Sequence, residues 1–281
     1  MSSVVAICQT DAIHLVTDGA LYDDDGTVVG FNSKVIPLHL ANSVLALRGA
    51  SWAAAPLELI LGAASSFDQA IERLPDLMER MIVQFNEKLG PDVSWVDRDF
   101  EVTIAGWSSK YGRFVVAVAS SFAPDDPNDT TSDSHQPGYQ QFIPREAPRA
   151  YTAPLIDVQG VLGREIATMG DVNELNGEVD GLALHCAQRV TPGIYCGKPR
   201  HLIGGFAELT TITRDGLKSK ILREWPDAVG KKIAPEGGVP IALLEQAMTT
   251  LAAAEEAARA LQEACLSSQI MAVPPVLDVA A

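Results

Sequence analysis

A chain of 281 residues, 47% of them hydrophobic, carries core-forming material for one large domain or two small ones, so length leaves the domain count open. Its 21 basic and 36 acidic residues leave a formal net charge of −15, a field that repels phosphate backbones and anionic membrane surfaces and argues against a nucleic-acid role. No uncharged apolar run is long enough to span a bilayer, and Met1-Ser-Ser-Val-Val lacks the basic region of a signal peptide, so the expectation is a cytoplasmic protein, or part of an assembly built in the cytoplasm, with no membrane partner.

Val4 to Ile7 is a β-branched apolar run, and Ile13 to Val16 is a second one after the turn-like Gln9-Thr10-Asp11; the two predict antiparallel strands. Asp23-Asp24-Asp25-Gly26 predicts an exposed turn, followed by short strands over 34–38 and 43–47 that close on Arg48-Gly49. From Ala53 the apolar spacing becomes helical. Ser65-Ser66 offers a cap, Pro75 suits a helix start, Met78, Met81, Ile82 and Phe85 fall on one stripe, and Gly90-Pro91 is a stop signal.

Residues 102–107 and 114–119 flank Ser108 to Gly112 as a second hairpin. Pro124 to Pro148 is polar, acidic and proline-rich, and predicts a surface loop. Its Asp125, Asp126, Asp129 and Asp133 lack the glycine and terminal glutamate of an EF-hand, which favours a solvated loop over a calcium site. Gly163 to Val190 reads as helical around a break near Gly170-Asp171, with Ile166, Met169, Leu182, Leu184 and Cys186 inward. Phe206 to Thr213, turning at Asp215-Gly216 into Leu217 to Leu222, is the clearest hairpin. A helix from about Ile241 to Leu266 presents Leu244, Met248, Leu251, Leu261 and Cys265 on one stripe, and Pro274-Pro275 ends any helical continuation. The expected domains are 1–239, with residues 124–148 as an inserted loop, and 240–281.

The four cysteines, Cys8, Cys186, Cys196 and Cys265, match no zinc-ligand spacing and predict scattered free thiols, so no metal or cofactor is expected. Of the histidines, His14 falls in a strand, His39 beside one, His185 in a helix and His201 ahead of Gly204-Gly205. A Cys196–His201 thiol nucleophile is the weaker chemical candidate. The stronger one is at the start of the chain. Asp18 ends one apolar strand and Lys34 begins another, sixteen residues on from Ser2 and from Asp18 respectively, where side chains can converge at a sheet edge.

This register resembles the proteasome β-subunit family, an N-terminal-nucleophile hydrolase class. In that family a small hydroxyl residue becomes the new N-terminus, an aspartate closes the second strand and a lysine opens the next. Ser2, Asp18 and Lys34 match without a gap, and Arg48-Gly49 stands where the family has its oxyanion-hole glycine, one residue late. Thr103 to Val118 is similar to the family's central hairpin, and Gly204-Gly205 with the following strand and Asp-Gly turn to its late segment.

The resemblance implies an α+β fold, a four-layer αββα sandwich with an added C-terminal helix. It implies hydrolysis of a peptide or amide after removal of Met1. Ser2 would be the nucleophile and its freed α-amine the base. Lys34, held ionised beside Asp18, would lower that amine's proton affinity, and the Gly49 backbone N–H would stabilise the oxyanion. It also implies a homo-oligomer or a subunit of a larger assembly. Two positions depart from the family. Arg200 and Ile203 stand where it keeps an aspartate and a serine, and an arginine there would repel a protonated amine. Its supporting Ser-Gly turn has no counterpart between Tyr151 and Gly170. The alternative reading is a catalytically silent ring, shell or virion component that keeps the fold, with Asp18 and Lys34 as a structural ion pair.

Overall fold

The computed structural model describes residues 2–90, 94–124, 138–195 and 198–238, and beyond them residues 240, 241, 244–246, 248 and 249. The chain divides into two compact units, residues 1–238 and 239–281. Within the second, the Thr249 hydroxyl donates to the Glu245 carbonyl, 2.8 Å away. The first unit is mixed α and β.

In chain order its elements are β1 (Val4–Cys8), β2 (Ala12–Asp18), β3 (Ala20–Tyr22), β4 (Val28–Phe31), β5 (Val35–Leu38) and β6 (Ser43–Gly49). Helices α1 (Ala54–Leu61), α2 (Phe67–Leu89) and α3 (Trp95–Arg98) follow, then β7 (Phe100–Ser108), β8 (Arg113–Ser120), β9 (Arg145–Glu146) and β10 (Ala150–Ala153). The rest is α4 (Val158–Leu162), α5 (Met169–Asn173), α6 (Val179–Val190), β11 (Gly193–Tyr195), β12 (Lys198–Arg200), β13 (Phe206–Thr213) and β14 (Gly216–Glu224).

Two five-stranded antiparallel sheets dominate, in the orders β10-β1-β2-β13-β14 and β5-β6-β7-β8-β9. Strand periodicity explains how they pack. Val4, Ala6 and Cys8 of β1 point one way and join Ile13 and Leu15, together with Val44, Ala46, Val116 and Val118 of the other sheet, in one shared core. Val5 points the opposite way and packs with Val16, Leu209 and Leu184 of α6. On the second sheet, Leu45, Leu47, Val102, Ile104 and Ala117 face away from the shared core, against α1 and α2. Burial on both faces is why β1 is a continuous apolar run rather than an alternating one.

The elements correct four expectations. Pro75 does not open a helix: it lies inside the single 23-residue α2, which Ser66 caps by accepting the Gln69 N–H. A proline inside a helix costs about 3 kcal/mol, and here the buried stripe of Leu74, Leu77, Met78, Met81 and Ile82 offsets it. Helix α2 ends where expected, at Gly90, whose φ of +90° an L side chain rarely adopts.

The segment 124–148 is not wholly loop, because Arg145 and Glu146 add β9 to the second sheet; residues 125–137 lie outside the described part. The stretch 163–190 is helical only in part: Gly163 ends α4, residues 164–168 are not helical, a capping box of Thr168 and Asp171 opens α5, and the break falls between α5 and α6 rather than near Gly170. On α6 the inward residues are Leu184, His185, Gln188 and Arg189, whereas Cys186 is only half-buried. Cys196, Cys265 and the tail around Pro274 lie outside the described residues, as does most of the 241–266 helix. Among the described residues no helix is long and apolar enough to cross a membrane.

Candidate active site

Ser2, Asp18 and Lys34 meet. The Lys34 Nζ donates to Ser2 Oγ at 2.7 Å and lies 3.2 and 3.1 Å from the two carboxylate oxygens of Asp18. Three strand ends bring this about. Ser2 precedes β1, Asp18 is the last residue of the adjacent β2, and Lys34 precedes β5 at the edge of the facing sheet. Lys34 is held there by its own carbonyl, which accepts the Leu47 N–H at 3.2 Å.

The site is buried: Ser2 is 7% exposed and Asp18 fully enclosed. A buried carboxylate requires partners. Besides Lys34, Asp18 accepts the backbone N–H groups of Ser3 at 2.8 Å and of Ala20 and Gly204 at 3.3 and 3.4 Å. The Gly204-Gly205 pair earns its place here by close approach. A Cβ on Gly204 would fall 2.5 Å from an Asp227 oxygen, and Gly205, at φ +77°, would meet the Phe31 ring at 2.5 Å. Burial pushes the Lys34 ammonium below the usual lysine pKa. The Asp18 charge and hydrogen bond oppose that shift, and the like charge of Arg48 adds to it. The Tyr22 ring centroid lies 5.8 Å from Nζ.

Gly49 does not join this contact set directly. It ends β6 at φ +92°, with its Cα face against the Asp99 carbonyl, so that an added Cβ would sit 2.5 Å from that oxygen. Its link to Ser2 runs through the preceding residue: Arg48 Nε donates to the Ser2 carbonyl at 2.8 Å. Arg48 also forms a buried ion pair with Glu101 on the neighbouring strand, at 2.6 Å.

Sequence reasoning missed this role for Arg48, although a signal existed. An arginine closing an apolar strand that is buried on both faces needs a buried acceptor, and Glu101 stands in an equally apolar run. It also missed Ser3, whose hydroxyl contacts both His185 and Gln188; no spacing in the sequence links residue 3 to residues 185 and 188.

Arg200 turns its guanidinium toward the 23–26 turn, 3.9 Å from an Asp25 oxygen, and donates to the Pro199 carbonyl. Ile203 is buried, and its carbonyl accepts from Arg189 at 2.7 Å. Cys196, the proposed thiol partner of His201, lies outside the described residues. Among the described residues no group of three or more His, Cys, Asp or Glu could hold a metal ion. A scan against protein-family models and a search of curated proteins found no match to the chain.

Proposed function

We propose that this protein is an N-terminal-nucleophile hydrolase of the four-layer αββα type. More particularly, we read it as a proteasome-like amide or peptide hydrolase that uses Ser2 after removal of Met1. The observation that carries the reading is the bridge of Lys34 between Ser2 Oγ and both oxygens of a fully buried Asp18. The two facing sheets, each with helices against its outer side, support the fold part of it.

In this mechanism the freed α-amine of Ser2, with a reference pKa of roughly 7.7–8.0, takes the hydroxyl proton directly or through water. Oγ attacks the amide carbonyl, the α-amine passes that proton to the substrate nitrogen as the C–N bond breaks and the substrate amine leaves, and water then hydrolyses the acyl ester. Lys34 stabilises negative charge developing on Oγ, and Asp18 keeps Lys34 ionised against the cost of its burial. The Gly49 N–H is assigned to the oxyanion. The same reading expects a homo-oligomer or a subunit of a larger assembly.

The test joins intact mass with turnover. Loss of Met1, hydrolysis of a fluorogenic peptide amide, and an acyl adduct mapped to the N-terminal peptide are the expected results. Ser2→Ala should lower turnover at least about 10³-fold with the fold unchanged. A mass that retains Met1, or an unchanged rate in Ser2→Ala, overturns the assignment.

One observation favours the silent-subunit alternative. Ile203, where the family keeps a serine, is buried and offers no side-chain hydrogen bond to an N-terminal amine. Under that alternative the wild type forms no adduct and shows no turnover even where Met1 is removed.

A further inference from the structure

We infer that His185 and Gln188 of α6 act as positioning residues for the nucleophile, by locking the hydroxyl of Ser3 and through it the backbone that carries Ser2. The inference rests on the hydrolase reading above and extends it to residues in the layer beneath the site.

Ser3, His185 and Gln188 are all fully enclosed. Their donors and acceptors can be assigned without ambiguity. Gln188 Nε2 donates to the Pro154 carbonyl at 2.8 Å, and since a carbonyl can only accept, the orientation of that side-chain amide follows. Gln188 Oε1 must therefore accept, and it takes the Ser3 hydroxyl proton in a short contact. A hydroxyl has one proton to give, so the 2.8 Å contact between Ser3 Oγ and His185 Nδ1 has the ring as donor. His185 Nδ1 thus carries a proton.

The other ring nitrogen marks the ring as the neutral Nδ1–H tautomer. His185 Nε2 is buried with no hydrogen-bond partner, which suits an unprotonated nitrogen better than an N–H. The ring also stacks on Trp225, with centroids 5.5 Å apart and planes 25° from parallel. Asp18, Arg189 and Lys34 are the charged groups that face it, the carboxylate favouring its protonation while burial and the two cations oppose it.

The directional chain continues past Ser3. Its N–H donates to Asp18 Oδ1, Asp18 holds Lys34, and Lys34 reaches Ser2 Oγ. Ser2 and Ser3 are consecutive, so fixing the Ser3 hydroxyl and N–H from opposite sides leaves the Ser2 backbone little freedom. That pre-orders the nucleophile before substrate arrives.

The test compares His185→Phe, which removes the donor, with His185→Asn, whose amide nitrogen can occupy the place of Nδ1. The inference expects His185→Phe to lower kcat roughly 10- to 100-fold at near-constant KM, and His185→Asn to recover most of it. Ser3→Ala should match His185→Phe, and the double variant should be no worse than either alone. Imidazole ¹⁵N shifts of the wild type should report the Nδ1–H form, and the Ser3 amide should exchange with solvent faster in His185→Phe than in wild type. Unchanged kcat in a folded His185→Phe, or an Nε2–H ring, overturns the inference. The spectroscopic and exchange measurements need no turnover, so they decide the network even if Ser2→Ala shows the hydrolase reading to be wrong.

Discussion

The two helix-covered faces of this protein are built from different material. Beneath α2, Phe67, Ala70, Leu74 and Met78 meet Leu45, Val102 and Ile104, and the buried polar groups there are small hydroxyls, Ser43 beside Phe67 and Ser108, which donates to Asp68. Beneath α6, Leu184 packs on Val5 and Val16, but its neighbours His185, Gln188 and Arg189 are just as buried. Arg189 is held by both oxygens of Asp227, at 2.8 and 2.9 Å, and lies over the Trp225 ring. Apolar packing is non-directional and tolerates small rearrangements. Hydrogen bonds and ion pairs fix distances and angles, and a lost partner leaves a costly buried group. The apolar face therefore serves as scaffold. The polar face lies directly under Ser3 and Asp18, where exact placement has a use.

The contrast can be broken most severely on the apolar side. Phe67→Ala should cost about 3–5 kcal/mol of unfolding free energy, because the ring is fully enclosed and also fills the space beside Gly106, whose Cβ position lies 2.7 Å from it. Denaturant melts would show this as a lower midpoint. Under the proposed hydrolase reading the remaining folded molecules should turn over at the wild-type rate, and a matching fall in kcat would erase the distinction between scaffold and site.

Acid should attack the other face. Burial holds the His185 pKa down to about 4, below its ordinary 6.5, so between these values the unfolded chain takes up a proton that the folded protein refuses. Stability from this group is complete above pH 6.5 and is lost as pH falls toward 4, by about 3 kcal/mol in all. The measurable quantity is the difference in pH dependence between wild type and His185→Asn, which cancels the shared carboxylates. Equal slopes would remove the polar face from the account of acid sensitivity.

The smallest effect sharpens the comparison by showing that polarity matters only when buried. Lys220 of β14 pairs with Glu178 at the start of α6, but both side chains are about half exposed, at 52% and 55%. Lys220→Ala should change stability by less than about 0.5 kcal/mol, as read by thermal melting in low and high salt.

Much of the fold was legible because local chemistry repeats. The runs at 4–7, 13–16, 43–47 and 206–213 fell within strands, and Asp215-Gly216 and Ser66 turned and capped the chain where their chemistry requires. Pro75 misled because a local rule about prolines yields to a buried stripe that only packing provides. The phase of α6 misled for a similar reason. Hydrophobicity favours Cys186 inward, and it is hydrogen bonds with the Ser3 hydroxyl and to the Pro154 carbonyl that draw His185 and Gln188 in instead.

By itself the sequence determined the mixed α and β character, the strand ends carrying Ser2, Asp18 and Lys34, and the strongly acidic charge. These follow from side-chain period, turn residues and counting. Tertiary structure alone decided that those three residues touch, that Arg48 rather than Gly49 reaches Ser2, and that residues 3, 185 and 188 form one network. Such contacts join distant parts of the chain across two sheets and a helix. No local pattern encodes them, because each exists only once packing has brought its partners within hydrogen-bonding distance.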